Sequence, residues 1–179
     1  THVSTPHLGT DALYIASQIV VAVQGLVTRM TSPTEPVIIG IGCLNAGTTY
    51  NAVAEHAVME GTTRTVSQES RDRIRRLVSE TADSIAAIYG GTAEIVWTDF
   101  AAALINDAEV CREAAAVADS LLGEGHVVTD RELSLSGDNF AEFELYRAPM
   151  PTSARATRTS RTRSFPTTTA ALMWMRTRS

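Results

Sequence analysis

The order in which the chain's hydrophobic period changes narrows the fold more than any other feature. Ala12, Ala16, Ile19, Val20, Val23, Leu26, Val27 and Met30 recur at three- and four-residue steps. That spacing gives a helix one broad apolar face. Thr10 is the expected N-cap, and Asp11 is a first-turn acid that favours the positive end of the helix dipole. After the loop T-S-P-T-E-P, Val37 to Cys43 is a near-continuous apolar run, short and flanked by Pro and Gly, which predicts a buried strand. A second strand is expected from about Glu55 to Thr65. Ser67 then opens a second helix, with Glu69 in its first turn and Ile74, Leu77, Val78, Ala82, Ile85 and Ile88 as its stripe. Gly90-Gly91 stops it, and Thr92 to Phe100 alternates as a strand with Ala93, Ile95 and Trp97 on one face. Thr1 to Gly9 reads as the end of a strand and a turn, with Pro6 excluding a helix.

The resulting order is strand, helix, strand, strand, helix, strand. It predicts an α+β fold over residues 1–100: a ferredoxin-like split β-α-β unit, with a four-stranded antiparallel sheet and both helices on one face. Residues 101–146 read as a partial α/β segment. Asn106 or Asp107 caps a third helix there, with Val110, Ala114, Val117 and Leu121 on one face and Gly123 at its end. His126 to Thr129 is a short strand and Asp138 to Tyr146 a helical start.

Charge divides the chain. All 15 basic residues are Arg, and seven of them lie from Arg147 onward, where there is no Asp or Glu. Residues 1–146 carry 20 acids against eight Arg, so the body is strongly acidic. That balance argues against nonspecific nucleic-acid or anionic-membrane binding by the folded part. No apolar run approaches 18 residues without polar interruption, which argues against a membrane span. The first segment does not resemble a signal peptide, and the start without Met, mid-pattern, is read as that of a fragment. Cys43 and Cys111 make neither a disulfide framework nor a zinc site and are expected as buried thiols in the cytoplasm. The Arg/Thr/Ser/Pro-rich tail over residues 147–179 has three readings. In order of preference these are a slipped GC-rich reading frame, a disordered extension, and a basic nucleic-acid arm.

Candidate chemistry concentrates between Gly47 and Thr65, G-T-T-Y-N-A-V-A-E-H-A-V-M-E-G-T-T-R-T. A turn carries Asn51, and a strand ends with Arg64. An amide offers a donor and an acceptor, and a guanidinium offers a planar fork of five donors suited to a carboxylate. On spacing alone an ordinary turn and amphipathic strand with a surface Arg is the better reading. His2 and His7 flank Ser-Thr-Pro without further ligands nearby, which does not make a metal site. Arg71, Arg73, Arg75 and Arg76, interspersed with Asp72, Glu80 and Asp83, read as a mostly solvated helix face.

T-H-V-S-T-P-H-L-G-T-D-A-L, followed by a helix ending V-Q-G-L-V-T-R, resembles the start of the lid domain of the zinc-dependent amidohydrolases. These include N-acyl-amino-acid amidohydrolases, hippurate hydrolases and indole-acetyl-amino-acid hydrolases, relatives of aminoacylase. The Gly47–Thr65 stretch is similar to that family's Asn-Val-Ile-Pro and Gly-Thr-x-Arg region, with Asn51-Ala52-Val53-Ala54 in place of the former. L-I-N-D-A-E-V and S-G-D-N-F-A-E-F resemble two later markers, where the chain re-enters the catalytic domain. Asp138-Asn139 departs there from the usual Glu-Asp. The likeness covers roughly residues 1–143.

The resemblance implies a lid and dimerisation domain at 1–100 and a C-terminal catalytic-domain piece at 101–146. By match, His2 implies the lid His that stabilises the oxyanion in the partner subunit's site, Asn51 a substrate hydrogen bond, and Arg64 the grip on the substrate's carboxylate. His7 is assigned a structural place. The resemblance also implies a homodimer through the lid, an N-acyl amino acid substrate, and two zinc or other divalent ions in the parent enzyme. This chain is expected to hold no metal, because the family's metal-ligand half precedes residue 1 and its last metal-binding His has no counterpart in the tail. It is therefore expected to be inactive alone. The alternatives are a stand-alone ferredoxin-like binding or regulatory module and a non-catalytic gene remnant.

Overall fold

The computed structural model describes residues 1–123, 126–128, 133–136 and, as backbone, 167–177. Its elements are helix α1 (Ala12–Met30), strands β1 (Val37–Ala46) and β2 (His56–Thr65), helix α2 (Gln68–Ile88), strand β3 (Gly91–Ala101), helix α3 (Ala108–Leu122) and strand β4 (Thr167–Thr177). One antiparallel sheet runs β1-β2-β4-β3. Helices α1 and α2 pack on each other and on the sheet, so the expected α+β architecture, with two helices on one face, is what forms.

The helical elements follow their local signals. Asp11, one residue later than expected, caps α1, its carboxylate accepting from the Tyr14 N–H at 3.1 Å. Ser67 caps α2 by accepting from the Ser70 N–H at 3.1 Å. Gly90 ends α2 at φ +76°, a left-handed conformation that glycine adopts without a Cβ clash. By length and composition α1 could cross a membrane, but Ile15, Ala16, Ile19, Val23 and Leu26 go into the core. There they meet Val37 and Ile39 of β1, Ala57 and Met59 of β2, and Ile74, Val78, Ala82 and Ala86 of α2. Burying each of the larger side chains contributes about 1.5–3 kcal/mol.

Strand β1 holds its inward face only because it bulges. Ile41 pairs with Gly61 and Cys43 with Glu60, so one extra residue lies between them. Strict alternation from Val37 and Ile39 would turn Leu44 outward, and the extra residue returns Leu44 and Ala46 to the core side. Gly61 sits opposite, where a Cβ would stand 2.6 Å from the Gly40 carbonyl oxygen and 2.8 Å from Ile41 Cδ1. Only glycine fits that approach.

Three expectations need correction. Thr1–Gly9 does not supply the fourth strand. It makes one isolated bridge, His2 to Ala52, and then a 3-10 turn at Pro6–Leu8, because Pro6 has no N–H to continue a ladder. The fourth strand is β4, drawn from the tail read first as a slipped reading frame and second as a disordered extension. Its T-T-T-A-A-L-M-W-M-R-T is rich in strand-favouring Thr and Trp. The rest of residues 147–179 and Asp138 to Tyr146 lie outside the described residues. His126 to Val128 is irregular rather than a strand.

Candidate functional site

Of the three candidate residues, two are neighbours and the third is distant. The His2–Ala52 bridge is flanked by hydrogen bonds from the Val3 N–H to the Asn51 carbonyl (3.1 Å) and from the Val53 N–H to the Thr1 carbonyl (2.9 Å). This short pairing sets His2 beside the turn that carries Asn51. The Asn51 side-chain oxygen accepts from the Thr49 hydroxyl at 3.1 Å, which leaves its NH₂ as the outward donor.

The local geometry of His2 selects a tautomer. The Ser4 backbone N–H donates to His2 Nδ1 at 3.1 Å, and the Ser4 hydroxyl lies 2.7 Å from the same nitrogen. A nitrogen that accepts from an amide carries no hydrogen, so the neutral ring has its N–H at Nε2. His2 is exposed. An exposed, oriented imidazole N–H is suited to meet a negatively charged oxygen.

Arg64 lies near the far end of β2, about 26 Å along the strand from His56 at ~3.3 Å per residue. Ala57, Met59, Thr63 and Thr65 are buried on the helix side. Alternation therefore puts Arg64 on the face opposite α1 and α2, paired in register with Ile38. Its Nη1 donates to the Leu135 carbonyl at 2.7 Å. The guanidinium is thus held at one corner by a backbone acceptor and retains further N–H groups that a carboxylate can engage. Within one chain, Arg64 does not converge with His2 and Asn51.

The arginine face of α2 is not the solvated surface expected. Arg71 is only 7% exposed, and both it and Arg75 pair with Asp99 of β3. Arg75 also lies over the Trp97 ring, 5.5 Å from its centroid. Arg73 grips both carboxylate oxygens of Glu35 at 2.7 Å, and the Ser70 hydroxyl donates to Glu35 at 2.5 Å. The Ser70 bond, then Arg73, holds the Glu35 carboxyl below its ordinary 4.5 against the opposing effect of burial. Of the four arginines, Arg76 is the one that is well exposed, with Glu80 one turn on. These pairs tie the loop before β1, and β3, to α2. Nothing in the sequence marked them, because Asp99 and Glu35 lie far along the chain from their partners.

His7 is exposed on the 3-10 turn. The cysteines are not buried: Cys43 is half-buried, accepting from Asn45 Nδ2 at 3.0 Å, and Cys111 is exposed. Among the described residues no three of His, Cys, Asp and Glu gather as a metal-binding set.

Residues 1–90 match the peptidase dimerisation domain of the M20 family. An uncharacterised hydrolase of Sinorhizobium fredii is 35% identical over 137 residues, covering 76% of this chain and 34% of the relative. The N-acetylcysteine deacetylase of Bacillus subtilis is 31% identical, over 84% of this chain and 38% of its own length. Thermostable carboxypeptidase 1 of Saccharolobus solfataricus is 31% identical, over 83% of this chain and 37% of its own. The chain therefore spans little more than a third of the length of these relatives.

Proposed function

The chain belongs to the M20 peptidase family through its dimerisation domain, and on that premise we propose that it is the substrate-gripping and dimerising part of an amide hydrolase. The substrate class is an N-acyl amino acid. His2 donates through Nε2–H to the oxygen that becomes negative as the amide carbonyl is attacked, and it does so in the partner subunit's site. Asn51 hydrogen-bonds the acyl-amino group, and Arg64 holds the free carboxylate. The observation that carries this reading is the Ser4 N–H bond to His2 Nδ1, which aims a donor from beside Asn51. Activity in trans is consistent with Arg64 lying a strand-length from His2 in one chain.

The described residues do not fit a metal pair. On this reading the divalent ions of the reaction are held by parts of the enzyme beyond them. Dimerisation is assigned to α1 and to β1, an edge strand. Around them Leu13, Val21 and Ile38 are exposed, Val21 at 72%. A two-fold, self-complementary contact suits such a surface.

The test is a graft of residues 1–90 in place of the matched segment of the B. subtilis N-acetylcysteine deacetylase, assayed on N-acetyl amino acids. His2→Ala is expected to lower kcat about 10²–10³-fold, the loss typical of one oxyanion donor. Arg64→Ala is expected to raise KM about 10–100-fold and to spare kcat, because it removes a charged contact made equally in ground and transition states. Unchanged kinetics in both variants would overturn the assignments.

A second reading is favoured by β4. Because the chain's own tail completes the sheet, a self-contained ferredoxin-like module that dimerises without catalysis also fits. A dimer of the isolated chain, combined with a graft that is inactive even without substitutions, would favour it.

A further inference from the structure

Strand β4 occupies a position that the topology does not reserve for it. Strands β2 and β3 are both antiparallel to β4, hence parallel to each other, and α2 joins them. A crossover that skips one position leaves a slot about 9–10 Å across, two strand spacings, bordered by a ladder on each side. Residues 167–177 fill it, from His56 opposite Arg176 to Thr65 opposite Thr167 on β2, and from Gly91 opposite Thr177 on β3.

The exit of the slot lies beside the start of α1. Thr177 pairs with Gly91, and a Cβ on Gly91 would stand 2.8 Å from Ile15 Cδ1 and 3.7 Å from Thr10 Cγ2. A strand in the slot also runs parallel to β1, since both are antiparallel to β2. Slot, α1 and β1 thus compose a second split β-α-β unit, interlocked with β2, α2 and β3. Yet β4 reaches the slot from the far end of the chain, with no direct link to α1. The demand of the slot is for extended backbone in one direction. Its helix-side walls, Met59 of β2 and Ile95 of β3, are apolar and face the core.

The geometry points to a strand-acceptor site between β2 and β3 whose occupant is exchangeable. Thr167–Thr177 is the resident, and an extended peptide of the same sequence supplied in trans takes its place by pairing with both ladders. This site is independent of the amide-hydrolase reading and of the residues assigned to it.

The probe is a fluorescent synthetic peptide of residues 167–177, added to the full chain. In Ala170→Pro the strand loses a ladder hydrogen bond and its ring obstructs pairing, so the resident is released. In the oxidised double variant Thr62→Cys/Ala170→Cys, made at paired positions, the resident is locked. One peptide per chain is expected to bind Ala170→Pro, at least tenfold more tightly than the locked variant, with slow exchange into the unmodified chain. If Ala170→Pro does not fold alone, the peptide is expected to restore its helical circular dichroism. Equal binding by released and locked chains, no binding by Ala170→Pro, or failure of the peptide to restore its fold would each overturn the proposal.

Discussion

Helices α2 and α3 are built from the same local instructions and end in opposite circumstances. Each has an oxygen cap, Ser67 or Asp107, an acid in its first turn and an apolar stripe. Helix α2 buries Ile74, Val78, Ala82 and Ala86 completely or nearly so. Helix α3 buries nothing, and Val110, Val117 and Leu121 stand more than half exposed. An amphipathic stripe is therefore a demand for a partner rather than evidence of one. For α2 the partner is α1 and the sheet, and the hydrophobic gain of burying a face is what turns a marginal isolated helix into a fixed element.

Paired substitutions in the two helices test this contrast. The largest difference is expected between Ile74→Ala and Val117→Ala. The first empties a fully buried site and should cost about 2–5 kcal/mol of unfolding free energy by urea titration. The second removes already exposed methyls and should cost less than about 0.5 kcal/mol. Comparable losses would mean that the α3 stripe is covered after all.

Next come the arginines. Arg71→Ala removes a nearly buried partner of Asp99 and should cost about 1–3 kcal/mol. Arg112→Ala, on exposed α3, should leave the urea midpoint within about 0.5 kcal/mol of its starting value.

The caps should separate by what they report. Ser67→Ala is expected to cost about 1 kcal/mol of global stability. Asp107→Ala, at a helix with no buried side chain, should lower helical circular dichroism without moving the cooperative transition. A shift of that transition would show that α3 belongs to the folding unit.

The smallest effect is the acid response of the α2 N-terminal end. The Glu35 carboxyl is lowered by Ser70 and Arg73, so its contribution is complete above the ordinary value of 4.5 and is lost as pH falls below it. Glu35→Gln should flatten that part of the stability–pH curve, and an unchanged curve would remove Glu35 from the account.

Much of the fold was legible because its signals are local. The stripe of α1, the Ser67 cap, the Gly90 stop and the inward face of Ala93, Ile95 and Trp97 each depend on neighbours within a few positions. The candidate site was legible in part. Asn51 on a turn and Arg64 at the end of a strand follow from their own segment, but that His2 pairs beside Asn51 required a contact across some fifty positions. The arginines misled for the same reason. Interspersed acids suggested solvation, whereas Arg71 and Arg73 are held by Asp99 and Glu35, which approach only when sheet and helix close.

Short-range signals, hydrophobic period and capping, were enough to set helices α1 and α2, strands β1 to β3, and the stripes of the two core helices. Which strand completes the sheet, and which stripes find partners, depended on contacts between distant segments. Thr167–Thr177 lies within the Arg/Thr/Ser/Pro-rich tail and reads with it; its own A-A-L-M-W-M run is apolar, but nothing local says between which strands it pairs. Backbone hydrogen-bonding groups demand pairing whatever side chains they bear, so a slot bordered by two ladders selects for extended conformation rather than for composition.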